Sequence, residues 1–274
     1  MKKDDIRKKV RERYGRIAAG SGSCCGAATS GCCGAAPSAG DLSAGVGYSK
    51  DELGAIPEGA NLGLGCGNPV ALASLREGET VLDLGSGGGI DCFLAANRVG
   101  PRGRVIGVDM TPQMLHLARD NARANGYANV EFRLGEIENL PLADQTIDAT
   151  ISNCVINLSP DKERVFREIF RVLKPGGRLM VSDIVLTGEL SERVKASVAA
   201  YTGCIGGALK REEYLAAIRK AGFDEVEIVA ENGVPVDLWA NSPVSAEEPA
   251  ITREEIREAL NAIASVKVSA TKKK

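Results

Sequence analysis

The sequence predicts an α/β protein built on a doubly wound, mostly parallel sheet, and three observations carry that expectation. Short β-branched runs alternate with amphipathic helical patterns from residue 79 onward, the sign of a parallel sheet covered on both faces. A glycine segment, DLGSGGGID (83–91), stands between the first run and the first helix. An acidic residue, Asp109, ends the second run. With 44% hydrophobic residues in 274, one core with extensions is affordable.

Taken in order, the strands are TVLDL (80–84), RVIGVD (104–109), VEFRL (130–134), TIDATIS (146–152) and RLMVSDIV (178–185). Thr111-Pro112 and Asn125-Gly126 mark the start and stop of one helix, and Ser159-Pro160 and Pro175-Gly176-Gly177 bracket DKERVFREIFRVLK. Helix and strand are expected to alternate regularly up to Val185. The helix KREEYLAAIRKAG then feeds a sixth strand, DEVEIVA, and Asn232-Gly233 offers a hairpin turn. Pro235 argues against a central strand directly after it, so SVKVSA (265–270) is the expected seventh strand, reached through a helix with a capping box at Thr252 and Glu255. At the other end, residues 4–13 are helix-compatible, while residues 20–40 consist almost wholly of Gly, Ala, Ser and Cys. The expected division is a mobile tail over 1–45 and one domain over 46–274, with a cofactor-binding core at about 76–185 and a substrate-side part at 186–274.

The formal charge of −2, with Lys and Arg interspersed among Asp and Glu, provides no field for a phosphate backbone, so no nucleic-acid partner is expected. No apolar run reaches the ~20 residues of a membrane helix, and the charged N-terminus has no apolar segment behind it. A cytoplasmic protein with no membrane partner is the expectation, and its eight cysteines should then be free thiols.

The glycine segment lacks the GxGxxG spacing, because Ile90 occupies the last glycine position, and no P-loop Lys-Ser/Thr follows. Asp109, by contrast, is placed where an acid takes ribose hydroxyls. An NAD-dependent dehydrogenase is the natural rival, but the only histidine, His116, lies within an amphipathic helix, so an acid–base partner is lacking. Taken together, VLDLGSGGG, GVDMT, LGEIENLP, ISNCVINL and LKPGG resemble the class I S-adenosylmethionine-dependent methyltransferases. That resemblance implies a Rossmann-like sheet with an antiparallel last strand and a C-terminal extension. It implies a methionine pocket shaped by Asp83, Gly85, Ser86, Gly87 and Gly89. Asp109 would hold the ribose, Met110 would cover the adenine, Glu136 and Ile137 would bind its edge, and Asn153 would complete the site.

Three further cysteines sit where core packing does not explain them. Cys66 lies in NLGLGCGNP, Cys154 ends the fourth strand in SNCVINLSP, and Cys204 lies in the loop YTGCIGGAL; all three can meet at the carboxyl ends of the strands. Cys92 instead fits the buried stripe of its helix. Isolated cysteines make a weak zinc signature, and the adjacent pairs Cys24-Cys25 and Cys32-Cys33 look like exchangeable thiols on a tether. With GYSKDELGAIPEGANLGLGCGNPV, SNCVINLSPDKERVFREIFRVLKPGG and YTGCIGGAL, the chain resembles the arsenite S-adenosylmethionine methyltransferases from about Val46 to Ile228. The resemblance implies methyl transfer to thiol-bound trivalent arsenic for its detoxification. Cys154 and Cys204 would be the principal arsenic ligands and Cys66 a third ligand or redox partner, and a thiol reductant of glutathione or thioredoxin type would restore the thiols. A small-molecule C- or O-methyltransferase and a non-catalytic thiol-rich metalloid binder are the rival readings.

Overall fold

The structure is a computed structural model that describes residues 2–20, 38–233 and 252–274. Cys24, Cys25, Cys32, Cys33 and Pro235 lie outside the described residues. Seven strands form one sheet: β1 Thr80–Leu84, β2 Arg104–Asp109, β3 Val130–Leu134, β4 Ile147–Asn153, β5 Leu173–Leu186, β6 Asp224–Gly233 and β7 Ile263–Thr271, in the order β3-β2-β1-β4-β5-β7-β6. The pairs β1–β2, β1–β4, β2–β3 and β4–β5 are parallel, and β7 runs antiparallel between β5 and β6, as expected for the last strand.

The helices are α1 Lys3–Ala18, α2 Ala39–Gly45, α3 Lys50–Gly54, α4 Pro69–Leu72, α5 Ile90–Val99, α6 Pro112–Ala124, α7 Lys162–Val172, α8 Glu192–Ala196, α9 Val198–Thr202, α10 Arg211–Lys220 and α11 Arg253–Asn261. Strand alternation supplies both faces of the sheet with apolar side chains. Val81 and Val105 join Phe93, Leu115 and Ala118 on one face, while Leu82, Leu84, Ile106 and Val108 join Phe166, Ile169 and Tyr214 on the other. Strand order reverses between β1 and β4, so a crevice opens at their carboxyl ends, between the turn after Leu84 and the turn after Asn153.

Several expected boundaries differ. No α-helix joins β3 to β4; residues 135–146 form turns closed by a Glu136–Asn139 bridge, so the regular alternation breaks there. Asp161 rather than Ser159 caps α7, its carboxylate accepting from the Arg164 amide at 3.2 Å. The Pro175-Gly176-Gly177 stop lies inside β5, because Leu173 already pairs with Ile147 and the Gly176 amide donates to Lys272 O at 2.7 Å. Asn232 and Gly233 pair with Ser265 and Ala264 instead of turning, since β7 offers them a partner strand. The capping box at Thr252 and Glu255 is formed.

The N-terminal segment, expected to stand outside the packed domain as far as residue 45, supplies α1 and α2 to it. Val10 is 2% exposed, Lys3 pairs with Asp161 at 2.8 Å, and Arg13 donates to Thr202 Oγ1 at 2.7 Å. A helix whose charged residues find partners on three other segments docks despite its polar composition. No described helix is long and apolar enough to cross a membrane.

Candidate active site

The turn after β1 begins the site. Gly85 has φ +65°, and a Cβ there would stand 2.3 Å from Val155 Cγ2, so the backbone passes a neighbour that any side chain would strike. The same turn ends at Gly89, which caps α5 with φ +98°. Both carboxylates flanking the turn are buried. Asp83 accepts from Cys92 Sγ at 3.2 Å, and burial, reinforced by neighbouring Asp91, holds its carboxyl well above the usual range. Asp109 accepts from the amides of Gly87 at 3.0 Å and Thr111 at 2.7 Å, bonds that temper the upward push of burial on its carboxyl.

A cleft at the carboxyl ends of β1 and β4 is lined by Asp83, Gly85, Ser86, Gly87, Asp109, Met110, Ile137, Asn153 and Cys154, nine of the expected residues. Gly89, Glu136, Cys66 and Cys204 are not on its wall. Glu136 faces α1, with Arg7 Nε at 3.4 Å and Arg11 Nη2 at 3.7 Å, and Glu138 lines the cleft in its stead. The Ser86 hydroxyl is buried and has no hydrogen-bond partner among the described residues, so a polar ligand group entering the cleft finds a partner waiting. That unpaired hydroxyl, two buried carboxylates and the apolar walls of Met110 and Ile137 fit a nucleoside carrying an amino-acid arm.

Residues that sequence reasoning passed over complete the wall. Asp91 accepts from Tyr48 Oη at 2.7 Å and from Asn153 Nδ2 at 3.1 Å, and burial raises its carboxyl to about 6. Its position in the first turn of the helix after the glycine segment was the available signal. Asn153 also holds the loop around Cys66, since its Oδ1 accepts from the Cys66 amide at 3.0 Å and its Nδ2 donates to Gly67 O at 2.7 Å. The glycine-rich loop is thereby pinned to the end of β4, which brings Cys66 beside Cys154.

These two cysteines, expected as free thiols, are joined in a disulfide with Cα atoms 5.9 Å apart. Cys204 is free, yet it does not sit in a flexible loop. It is 5% exposed in the turn after α9, and its Sγ donates to Cys154 O at 2.8 Å. Burial pushes its thiol up, and the neighbouring Asp183 carboxylate adds to this. Cys154 and Cys204 have φ of +56° and +68°, a conformation uncommon for non-glycine residues and concentrated at functional sites. The sulfurs of Cys66 and Cys154 and a carboxylate oxygen of Asp183 lie within 4.8 Å of one another. Asp183 is fully buried, accepts from Asn157 Nδ2 at 2.8 Å and Tyr214 Oη at 3.1 Å, and is raised to about 7, chiefly by burial. Cys66 and Cys154 thus stand together beside the cleft and Cys204 reaches the backbone of Cys154, while Cys92 is packed in the core beside Asp83.

The chain is similar to known proteins in sequence and in fold. A methyltransferase-domain profile matches residues 75–222. An arsenite methyltransferase of Halobacterium salinarum is 48% identical over 230 residues, covering 82% of this chain and 59% of that protein. One from Aquipseudomonas alcaligenes is 40% identical over 204 residues, covering 72% and 58%. The chain therefore spans somewhat under two thirds of the length of these relatives. The crystal structure of an arsenic(III) S-adenosylmethionine methyltransferase from Chlamydomonas reinhardtii is 32% identical and superposes with a TM-score of 0.63, over 88% of this chain and 75% of that one. A shared domain profile, the identity to these relatives and a superposable fold lead to one conclusion: the chain belongs to the arsenic(III) S-adenosylmethionine methyltransferases.

Proposed function

We propose that this protein transfers methyl groups from S-adenosylmethionine to thiol-bound trivalent arsenic. The reading is supported by one observation above others: the Cys66–Cys154 pair stands beside the cleft that holds Asp83 and Asp109, and the Cys204 side chain reaches the Cys154 backbone. Trivalent arsenic is soft and prefers thiolates to the carboxylates and hydroxyls nearby. Bound from one side by sulfurs, it keeps a lone pair on the opposite side.

Asp109 would hold the ribose, Asp83 and Ser86 the amino-acid arm, and Met110 and Ile137 the adenine. When bound, the cofactor supplies a sulfonium methyl as electrophile. The transfer requires no general base, because the arsenic lone pair carries no proton. The chain's residues instead orient the acceptor, the contribution that proximity makes to such reactions. Loading balances without change of oxidation state: each thiol S–H and arsenic–hydroxyl pair exchanges to an arsenic–sulfur bond and water. The Cys66–Cys154 disulfide must first accept two electrons from a thiol reductant of glutathione or thioredoxin type, which leaves as its own disulfide. Methylation oxidises arsenic formally by two electrons, and re-formation of such a disulfide can return them.

Incubation with arsenite, S-adenosylmethionine and a thiol reductant, followed by chromatography with elemental detection, should yield methylated arsenic. Cofactor binding without any methylated arsenic would point instead to a carbon or oxygen acceptor.

A further inference from the structure

Three aspartates line the cofactor cleft, and the structure gives none of them a cation. Asp83, Asp91 and Asp109 are 2%, 3% and 9% exposed. Their hydrogen bonds come from neutral donors: the Cys92 thiol for Asp83, the Gly87 and Thr111 amides for Asp109, and the Tyr48 hydroxyl and Asn153 side chain for Asp91. Among the described residues none of the three forms an ion pair, and Arg7, the only basic residue on the wall, pairs with Glu136 and Glu138 instead. Burying a carboxylate without a cation is costly. The Ser86 hydroxyl on the same wall is 4% exposed and has no partner among the described residues. The cleft is therefore suited to a ligand that brings positive charge and an acceptor of its own. S-adenosylmethionine carries an ammonium, a sulfonium and a carboxylate.

The three carboxylates differ in place. Asp109 ends β2, Asp83 lies on β1, and Asp91, in the first turn of α5, is bonded to Asn153 at the end of β4. Because β1 lies between β2 and β4, Asp91 is tied to the end of the crevice farthest from the expected ribose carboxylate. A nucleoside seated at Asp109 and Met110 extends its amino-acid arm toward that end. We infer that Asp91 is a cofactor-binding residue, the counter-ion of the ammonium on the amino-acid arm of S-adenosylmethionine. It deepens the cofactor half of the function proposed above and is independent of the arsenic half. An ionised carboxylate offers about four lone-pair positions. Tyr48 Oη, at 2.7 Å, and Asn153 Nδ2, at 3.1 Å, take one each, which leaves acceptors for the ammonium hydrogens. Asn153 Nδ2 also donates to Tyr48 Oη at 2.8 Å, so the three side chains close a ring of bonds that sets the carboxylate's direction before the cofactor arrives. Asp83 and Ser86 remain for the rest of the arm.

The test is calorimetric titration of the full-length protein with S-adenosylhomocysteine, which lacks the sulfonium and so isolates the ammonium, and with its deaminated and decarboxylated analogues. Wild type should bind the deaminated analogue about tenfold or more weakly than S-adenosylhomocysteine, the range expected when a hydrogen bond to a charged group is lost. Asp91→Asn should weaken S-adenosylhomocysteine and the decarboxylated analogue by about tenfold or more each. The deaminated analogue should change by less than about threefold, since it has no ammonium to lose a partner. Asp91→Ser should show the same selective loss. A purely structural role for Asp91 lowers all three affinities alike, and that outcome in both variants overturns the proposal. So does wild type that binds the deaminated analogue as tightly as S-adenosylhomocysteine, a result that requires no variant to fold. Wild type that binds none of the three ligands overturns the cofactor reading itself, whereas tight binding without selective loss in the variants overturns only the counter-ion.

Discussion

Cys204 donates its thiol hydrogen to the backbone carbonyl of Cys154 at 2.8 Å, across fifty residues of chain. The turn that carries Cys204 is thereby tied to the end of β4, while the Cys154 sulfur itself is held in the disulfide with Cys66. Cys66 reaches the same place by a different route, through its disulfide with Cys154 and the grip of Asn153 on its loop. The difference separates the roles of the three sulfurs.

Cys154→Ser and Cys204→Ser should each abolish methylation of arsenite and of trivalent monomethylarsenic, since a hydroxyl is a hard, protonated substitute for a soft thiolate. Cys66→Ser should lose arsenite but keep part of its activity on the monomethylated substrate, which has only two valences left for sulfur. Product speciation on variants with normal cofactor binding decides this. Robust methylation of arsenite by Cys154→Ser would remove that residue from the site.

Gly85→Ala should damage both stability and cofactor binding. Its φ of +65° is strained for alanine, and the new Cβ would lie 2.3 Å from Val155 Cγ2. A loss of about 1–3 kcal/mol is expected from the backbone and overpacking together. Urea midpoints and calorimetric titration check it, and a neutral result would mean that the turn yields more easily than its contacts suggest.

Asp109→Ala should weaken S-adenosylmethionine binding by about 1.5–3 kcal/mol, the loss of hydrogen bonds to a charged group. The fold should survive less completely than for a surface change, because the carboxylate also satisfies the amides of Gly87 and Thr111. Unaltered affinity by calorimetry would take Asp109 out of the cofactor site.

The contribution of Asp91 and Asp183 to stability should fall as pH rises from about 4 to about 7. Asp91 and Asp183, raised from 3.8 to about 6 and about 7 by burial, keep a proton in the folded protein where the unfolded chain has released it. The folded state thus binds more protons across this window, which gives a slope of up to about 1 kcal/mol per pH unit for each group. Above the folded values both states are ionised and the dependence levels off. Denaturation midpoints measured across the window test the sign, and Asp183→Ala should flatten its upper half.

Much of the fold was legible in local pattern. Strand runs, the glycine turn and the capping box at Thr252 each depend on residues a few positions apart, and the cleft wall from Asp83 to Asp109 follows from one strand–turn–helix unit and the next strand end. The resemblance carried by the cysteine segments pointed to the chemistry. Legibility ended where a contact joins distant segments. The reach of β5 back to Leu173 depends on Ile147 as a partner, and the strand character of Asn232-Gly233 depends on β7, neither of which is visible from within the segment.

By itself, then, the sequence determined most of the strands and helices, the mostly parallel sheet, and which cysteines stand at strand ends and in loops. Only the tertiary structure decided that Cys66 pairs with Cys154, that α1 packs against the cleft and places Tyr14 on its wall, and that Asp183 is a fully buried carboxylate beside the sulfurs. The physical reason is that backbone propensity and hydrophobic period act over a few residues, whereas disulfide geometry, desolvation and a helix's docking partners depend on groups brought together from as far as 88 residues away or more.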